Sequence, residues 1–210
     1  MAYDNSGRAD AARRTRARVV EAAREQLLAR GWAGTTIRSV AADAGVSRET
    51  VYKTFGGKAG LLKAVYDRTL AGDDAPVVMA ERPLFASLRR ASTAAEAARA
   101  YADVAAHIAE EVGPLLRVAL SSRGADPQLR EFAEQIDAER LAGVRQVVRV
   151  WGEHGWLRPG RTPEATADVL WTIVAPTVHE LLHTRGWSRR RYRDWVEEAL
   201  GALVLVRGGP

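Results

Sequence analysis

The stretch Thr35–Lys58, TTIRSVAADAGVSRETVYKTFGGK, constrains this chain more than any other. Ile37, Val40, Ala41 and Ala44 recur at helical spacing and give a short helix one apolar face. Gly45 stands where that helix has to end and the chain turn, because a residue without Cβ enters the left-handed backbone region at little cost. Val46 dips toward the core behind the turn, and the Ser47 hydroxyl is placed to cap the next helix. In that second helix Val51 and Phe55 share the inner face at i, i+4, leaving Arg48, Glu49, Thr50, Tyr52 and Lys53 outward. A small residue where the helices cross, Ala41, followed four positions later by glycine is the pattern of a helix-turn-helix. An ordinary helical hairpin fits the same spacing.

The distribution of charge favours the first reading. Residues 1–58 carry 11 Lys/Arg against 6 Asp/Glu, whereas residues 59–210 carry 20 of each. The whole net charge of +5 therefore lies on the segment that holds the helical pair, as a phosphate-binding surface requires. Nucleic acid is the expected partner. Part of the basic content is compositional, since 28 of the 31 basic residues are arginine. Residues 1–12 are polar and read as a disordered basic arm. The run Arg8, Arg13, Arg14, Arg16 and Arg18 either follows a DNA backbone or enters a minor groove, or is a solvated terminus.

Several classes are excluded or disfavoured by what the chain lacks. Without cysteine there are no disulfides and no thiolate metal or redox chemistry. No apolar run reaches the roughly 18 residues of a membrane span, and the N-terminus has no signal-peptide core. A cytoplasmic protein without a membrane partner is expected. There is no alternating strand pattern, and all 210 residues read as α-helix and loop. No cofactor is implied.

A first helix is expected over about residues 11–30, ended by Gly31, with Trp32 packed between it and the helical pair. Thr35 or Thr36 caps the next helix, and either hydroxyl is also placed to meet a phosphate at that helix start. A fourth helix runs from Lys58 to Ala71, with Leu61, Leu62, Val65, Tyr66 and Leu70 inward. The break Gly72–Pro76 marks a domain boundary, dividing residues 13–72 from 76–210. Beyond it, Pro83 opens a short helix, and Thr93 with Glu96 has capping-box spacing. Gly113-Pro114 is expected to interrupt the helix that follows. A loop then covers Ser121–Pro127, and a long helix spans about 127–154. The last two helices are expected over about 163–184 and 188–206.

The continuous segment GTTIRSVAADAGVSRETVYKTFGGKAGLL, Gly34 to Leu62, resembles the DNA-binding domain of the TetR family of transcriptional regulators. The resemblance covers about residues 13–70, a third of the chain. It implies an all-α fold, with an N-terminal three-helix DNA-binding domain and a larger C-terminal domain for effector binding and dimerisation. It also implies a dimeric repressor, bound to its operator through the helix starting at Ser47 and released by a small molecule. Tyr52 and Lys58 match positions that contact phosphate, Thr50 one that touches DNA, and Arg38 one that reaches a base. Thr36, Ser47, Arg48, Lys53 and Thr54 complete the expected DNA-facing set. Lys58 supports this independently, because a cation at a helix start is unfavourable unless an anion joins it there. Arg48 suits a bidentate contact to guanine and Thr50 a thymine methyl. Glu49 either accepts from a cytosine amino group or pairs with Arg48.

For the second domain the resemblance implies an effector pocket within about residues 77–184. Phe85, Tyr101, Val104, His107, Ile108, Trp151 and Trp171 are its expected lining, and their character suits an apolar or aromatic ligand. Plain core packing explains the same residues. The last two helices are more broadly apolar than one core-facing stripe needs. Trp171, Val174, Val178, Leu181, Trp195, Val196, Leu200 and Leu203 are the expected homodimer contacts.

One enzyme pattern stands apart. His179-Glu180-Leu181-Leu182-His183 spells HExxH, whose histidines at i, i+4 can ligate zinc beside a glutamate base. No third ligand follows at a recognisable spacing, and Leu181 and Leu182 call for burial. A zinc hydrolase, and a helical interaction protein without DNA binding, are the alternatives to a regulator. No catalytic residue and no metal site are expected.

Overall fold

Helix α1 (Asn5–Gly34) opens the computed structural model, which describes residues 5–72, 81–122, 124 and 126–206. The helix starts before Ala11, so the expected disordered arm is corrected over residues 5–12; residues 1–4 lie outside the described ones. Ala9, Ala11, Ala12 and the neighbouring arginines are strong helix formers, and Asp10 pairs with Arg13 across one turn. Gly31, at φ 67° and ψ −175°, interrupts the helical geometry where the first helix was expected to end.

α2 (Ile37–Asp43) and α3 (Arg48–Phe55) are the expected pair, followed by α4 (Lys58–Ala71). Thr36 caps α2 by accepting from the Ser39 N–H, and the Ser39 hydroxyl accepts in return from the Thr36 N–H. Ser47 caps α3 through the Thr50 N–H. Gly45, at φ 64°, makes the turn between them. Val20, Ala23 and Leu27 of α1, Val40 and Ala41 of α2, Val51 of α3 and Leu61, Leu62 and Val65 of α4 are all buried. Each of these valine and leucine side chains contributes about 1.5–3 kcal/mol through removal from water, so the short helices are held by packing rather than by their own propensity.

Past residues 73–80, where most of the expected boundary loop lies outside the described residues, come a 3-10 turn (Pro83–Phe85) and α5 (Ala86–Arg90). α6 (Ala94–Ser122) runs on through Pro114, so the expected interruption at Gly113-Pro114 does not occur. α7 (Pro127–Glu153) follows, with Asp126 at its start accepting from the Gln128 N–H at 2.8 Å. Residues 123 and 125 of the expected loop are outside the described ones.

α8 (Pro163–Ile173), α9 (Pro176–Thr184) and α10 (Arg189–Leu203) complete the chain. The single helix expected over 163–184 is split because Pro176 has no N–H to continue the ladder. Arg140 compensates at the break, donating from Nη2 to the main-chain oxygens of Trp171 (3.3 Å) and Val174 (3.2 Å). Among the described residues there is no strand, only an isolated antiparallel bridge between Leu157 and Leu205.

Backbone contacts group Met1–Ala75 with Pro114–Ala133, and Pro76–Gly113 with Glu134–Pro210. The expected uninterrupted second domain over 76–210 is thus corrected at residues 114–133, which pack with the N-terminal helices. Tyr66 and Phe132, both buried, meet edge to face at 5.8 Å within that first unit. The second unit centres on Val144, Val148 and Trp151 of α7, Ala167, Leu170 and Ile173 of α8, and Tyr192, Val196 and Leu200 of α10.

Candidate nucleic-acid interface

The capping hydroxyls set the direction of everything the helical pair exposes. Thr36 and Ser39 share their oxygens at 2.9 Å, and Ser39 also donates to the Gln26 side chain of α1 at 2.6 Å. Ser47 and Thr50 hydroxyls lie 3.1 Å apart, and Thr54 donates to the Thr50 main-chain oxygen at 2.8 Å. Glu49 is held below the usual carboxylate range first by the backbone N–H at the start of α3. The Ser47 hydroxyl and the Arg48 charge add to this. Helix start and cap therefore govern Glu49 ahead of the Arg48 pairing weighed from sequence.

Arg38, Arg48 and Lys53 are exposed, and Tyr52 presents 55% of its surface to solvent. An open groove of about 490 Å³ brings together Thr36, Arg38, Arg48, Tyr52 and Lys58, with Gly56 and Gly57 on its floor. Ser47, Thr50, Lys53 and Thr54 are not among its lining residues; all four belong to α3 or its cap. The groove walls carry three cationic side chains and a phenol, which suits an anion. α4 also begins at Gly57 with no capping side chain, unlike α2 and α3, so the helix start beside the groove has no side-chain cap.

Two lining features were not legible in the sequence. Gln128, in the first turn of α7, borders the groove although it lies seventy positions from Lys58. Lys58 itself turns inward. Its ammonium donates to the Trp32 main-chain oxygen and stands 4.0 Å from the centre of the Trp32 ring. Partial burial pulls Lys58 below the usual lysine value, against the opposing attraction of the Asp126 carboxylate. Asp126 in turn accepts from the Trp32 indole at 2.6 Å, which is the main reason its carboxyl sits below the ordinary range. No local pattern signals a tryptophan that serves a lysine and an aspartate ninety-four residues away.

In the second unit the expected effector residues separate. Trp151 is core, with Tyr101 meeting it edge to face at 5.4 Å and Trp171 packed against the same cluster. Burial pushes the Tyr101 hydroxyl far above the usual phenol value, and that of Tyr192 up to about 12. Val104 is buried outside that cluster, while Phe85, His107 and Ile108 are half-buried. Of the expected dimer contacts, Val196 and Leu200 are fully buried inside one chain. Leu181 is 67% exposed and Leu203 41%, with Trp171, Val174, Val178 and Trp195 half-buried. His179 and His183 stack at 5.9 Å, and His179 meets the edge of Tyr192 at 4.7 Å. Among the described residues no group of three or more His, Asp or Glu could hold a metal ion, and no helix is long and apolar enough to cross a membrane.

Two capped helices joined at Gly45, with a basic groove along their outer side, form a helix-turn-helix. Residues 19–65 match the family described as bacterial regulatory proteins, tetR family. The HTH-type transcriptional regulator AlkX of Mycobacterium tuberculosis is 46% identical over 43 residues, a stretch covering 20% of this chain and 20% of AlkX. Native NalD, the secondary repressor of the MexAB-OprM multidrug efflux pump in Pseudomonas aeruginosa, has a similar fold. It matches at TM-score 0.70 and 20% identity, over 94% of this chain and 99% of that one. SmeT in complex with triclosan matches at TM-score 0.66 and 20% identity, over 92% and 93% of the two chains. At these identities the structural likeness is one of fold.

Proposed function

We propose that the chain is a cytoplasmic, homodimeric repressor that binds a double-stranded DNA operator and leaves it when a small molecule binds. The observation that carries this reading is the groove joining Thr36, Arg38, Arg48, Tyr52 and Lys58 beside an uncapped helix start. Tyr52, Lys58 and Thr36 meet phosphates there. Arg38, Arg48, Thr50, Lys53 and Thr54, from α2 and α3, reach bases, with Ser47 fixing the helix that carries most of them. Two copies read two half-sites about one helical turn apart. The subunit contact uses Trp171, Val174, Val178, Leu181, Trp195 and Leu203, the apolar residues that one chain leaves partly or wholly uncovered.

The effector is apolar or aromatic and occupies a site among Phe85, Tyr101, His107, Ile108 and Trp171, against the walls formed by Val104 and Trp151. The complex of SmeT with triclosan and the repressor role in the name of NalD support this class of ligand-responsive repressor. Release follows if the ligand binds better to a state in which α4 has tilted, since only differential affinity shifts an equilibrium. The chain has no catalytic role in this reading, in which His179 packs against Tyr192 and His183 stacks on His179. The test is a gel-shift titration of a duplex enriched from a random library by the protein itself, with a panel of apolar and aromatic compounds. Full operator binding with every compound at saturation would remove the induction model, and absence of any enriched duplex would remove the repressor.

A further inference from the structure

Trp32 is held from two sides. Its indole N–H donates to Asp126 Oδ2 at 2.6 Å, while its main-chain oxygen and ring face take the Lys58 ammonium. The other carboxylate oxygen of Asp126 accepts from the Gln128 N–H, so the first turn of α7 fixes the carboxylate in place. Gln128, two residues on, borders the groove that Lys58 also lines. The result is one acidic group at the indole N–H edge and one ammonium on the ring face, the carboxylate attracting the cation that the groove would also use.

We propose that Asp126 is a positioning residue for DNA binding, which holds the Lys58 ammonium on Trp32 and restrains its reach to a phosphate in the groove. The inference rests on the DNA-binding reading above. A phosphate at the start of α4 attracts Lys58 outward, and the uncapped N–H groups there help to hold the anion. Asp126 attracts the same ammonium inward through the charge-assisted bond that polarises the indole. The two anions compete for one cation, so the strength of the Asp126 side sets how much of the lysine's charge DNA receives.

The decisive variant is Asp126→Asn, which removes the charge and keeps one of the two acceptor oxygens, for the indole or for the Gln128 N–H. Fluorescence anisotropy with a mixed-sequence duplex, and with a duplex enriched by the wild-type protein, is measured over a range of salt in wild-type and Lys58→Gln backgrounds. Asp126→Asn should tighten both duplexes about three- to tenfold with a steeper salt dependence, and by less than about twofold when Lys58 is Gln. Asp126→Ser, which also keeps a capping oxygen, should show the same dependence on Lys58 if the Asn variant folds poorly. Unchanged or weaker binding would overturn the inference, as would equal tightening in both backgrounds, the mark of a general charge effect. Wild-type protein that binds neither duplex at any salt would overturn the DNA-binding reading itself, and this inference with it.

Discussion

Gln26 donates from Nε2 to Asp43 Oδ2 at 2.5 Å and accepts the Ser39 hydroxyl at 2.6 Å, so one buried side chain of α1 holds both ends of α2. With 3% of its surface exposed, the amide has no water to replace either partner. Gln26→Ala should therefore lower the unfolding free energy by about 1–3 kcal/mol, more than truncation of an exposed polar residue. Urea unfolding at neutral pH is the measurement; a loss under about 0.5 kcal/mol would mean that the two bonds have no net worth.

Gly60 carries a different constraint. A Cβ there would stand 1.9 Å from the Phe55 main-chain oxygen, and backbone cannot swing aside as a side chain does. Gly60→Ala should displace the start of α4 from the end of α3, costing about 1–3 kcal/mol and weakening DNA binding as well. Gly143 is the contrast: exposed in the middle of α7 with open space around it, Gly143→Ala should stabilise by about 0.4–1 kcal/mol. Thermal unfolding of the pair compares the two cases directly, and a harmless Gly60→Ala would show that the α3–α4 turn relaxes freely.

The groove and the face of α3 should respond differently to substitution. Tyr52→Phe and Lys58→Ala should weaken all duplexes to a similar extent, with Lys58→Ala reducing the salt slope by about one unit for the phosphate that the lysine neutralises. Arg48→Ala should instead relax sequence preference, narrowing the gap between the enriched and mixed duplexes by about 1–3 kcal/mol. A salt slope unaltered by Lys58→Ala would remove the lysine from the phosphate set.

Subunit contact and core are separable in α9 and α10. Leu181→Glu places a charge on a mostly exposed leucine, so sedimentation velocity should show monomer with little change in intrachain stability. Leu200→Ala should cost about 2–5 kcal/mol through the cavity left in the chain's own core, at any protein concentration. A Leu181→Glu protein that stays dimeric would move the subunit contact elsewhere.

The helix-turn-helix is legible because each of its signals is local. The i, i+4 pair Val51 and Phe55, the cap at Ser47 and the glycine at 45 act within one or two turns; the structure has Val51 buried, Ser47 capping and Gly45 in the turn, with Phe55 only half-buried. The helical content of residues 5–12 escapes a reading that equates low apolarity with disorder, because alanine and arginine favour helix without any buried face. The split at Pro176 is legible in principle, since a proline inside a helical pattern ends the ladder. The run through Pro114 shows the opposite outcome of the same signal, with the flanking Val112, Leu115, Leu116 and Ala119 all buried. Apolar patterning cannot divide core from interface: Val196 and Leu181 look alike in sequence, yet one is fully buried and the other mostly exposed.

By itself the sequence determined the all-α class, the place and polarity of the helix-turn-helix and the end of the chain on which positive charge collects. These follow from spacing, capping chemistry and composition, all of which act over a few residues or need only counting. Tertiary structure alone decided that residues 114–133 join the N-terminal helices, and that Lys58 rests on Trp32 with Asp126 behind it. Gln128 at the groove and the buried faces of α10 belong with these. Such features depend on which surfaces the packed helices bring within a few ångströms of one another. That is a property of the closed core, in which residues far apart in the chain share one environment, and no single stretch of sequence contains it.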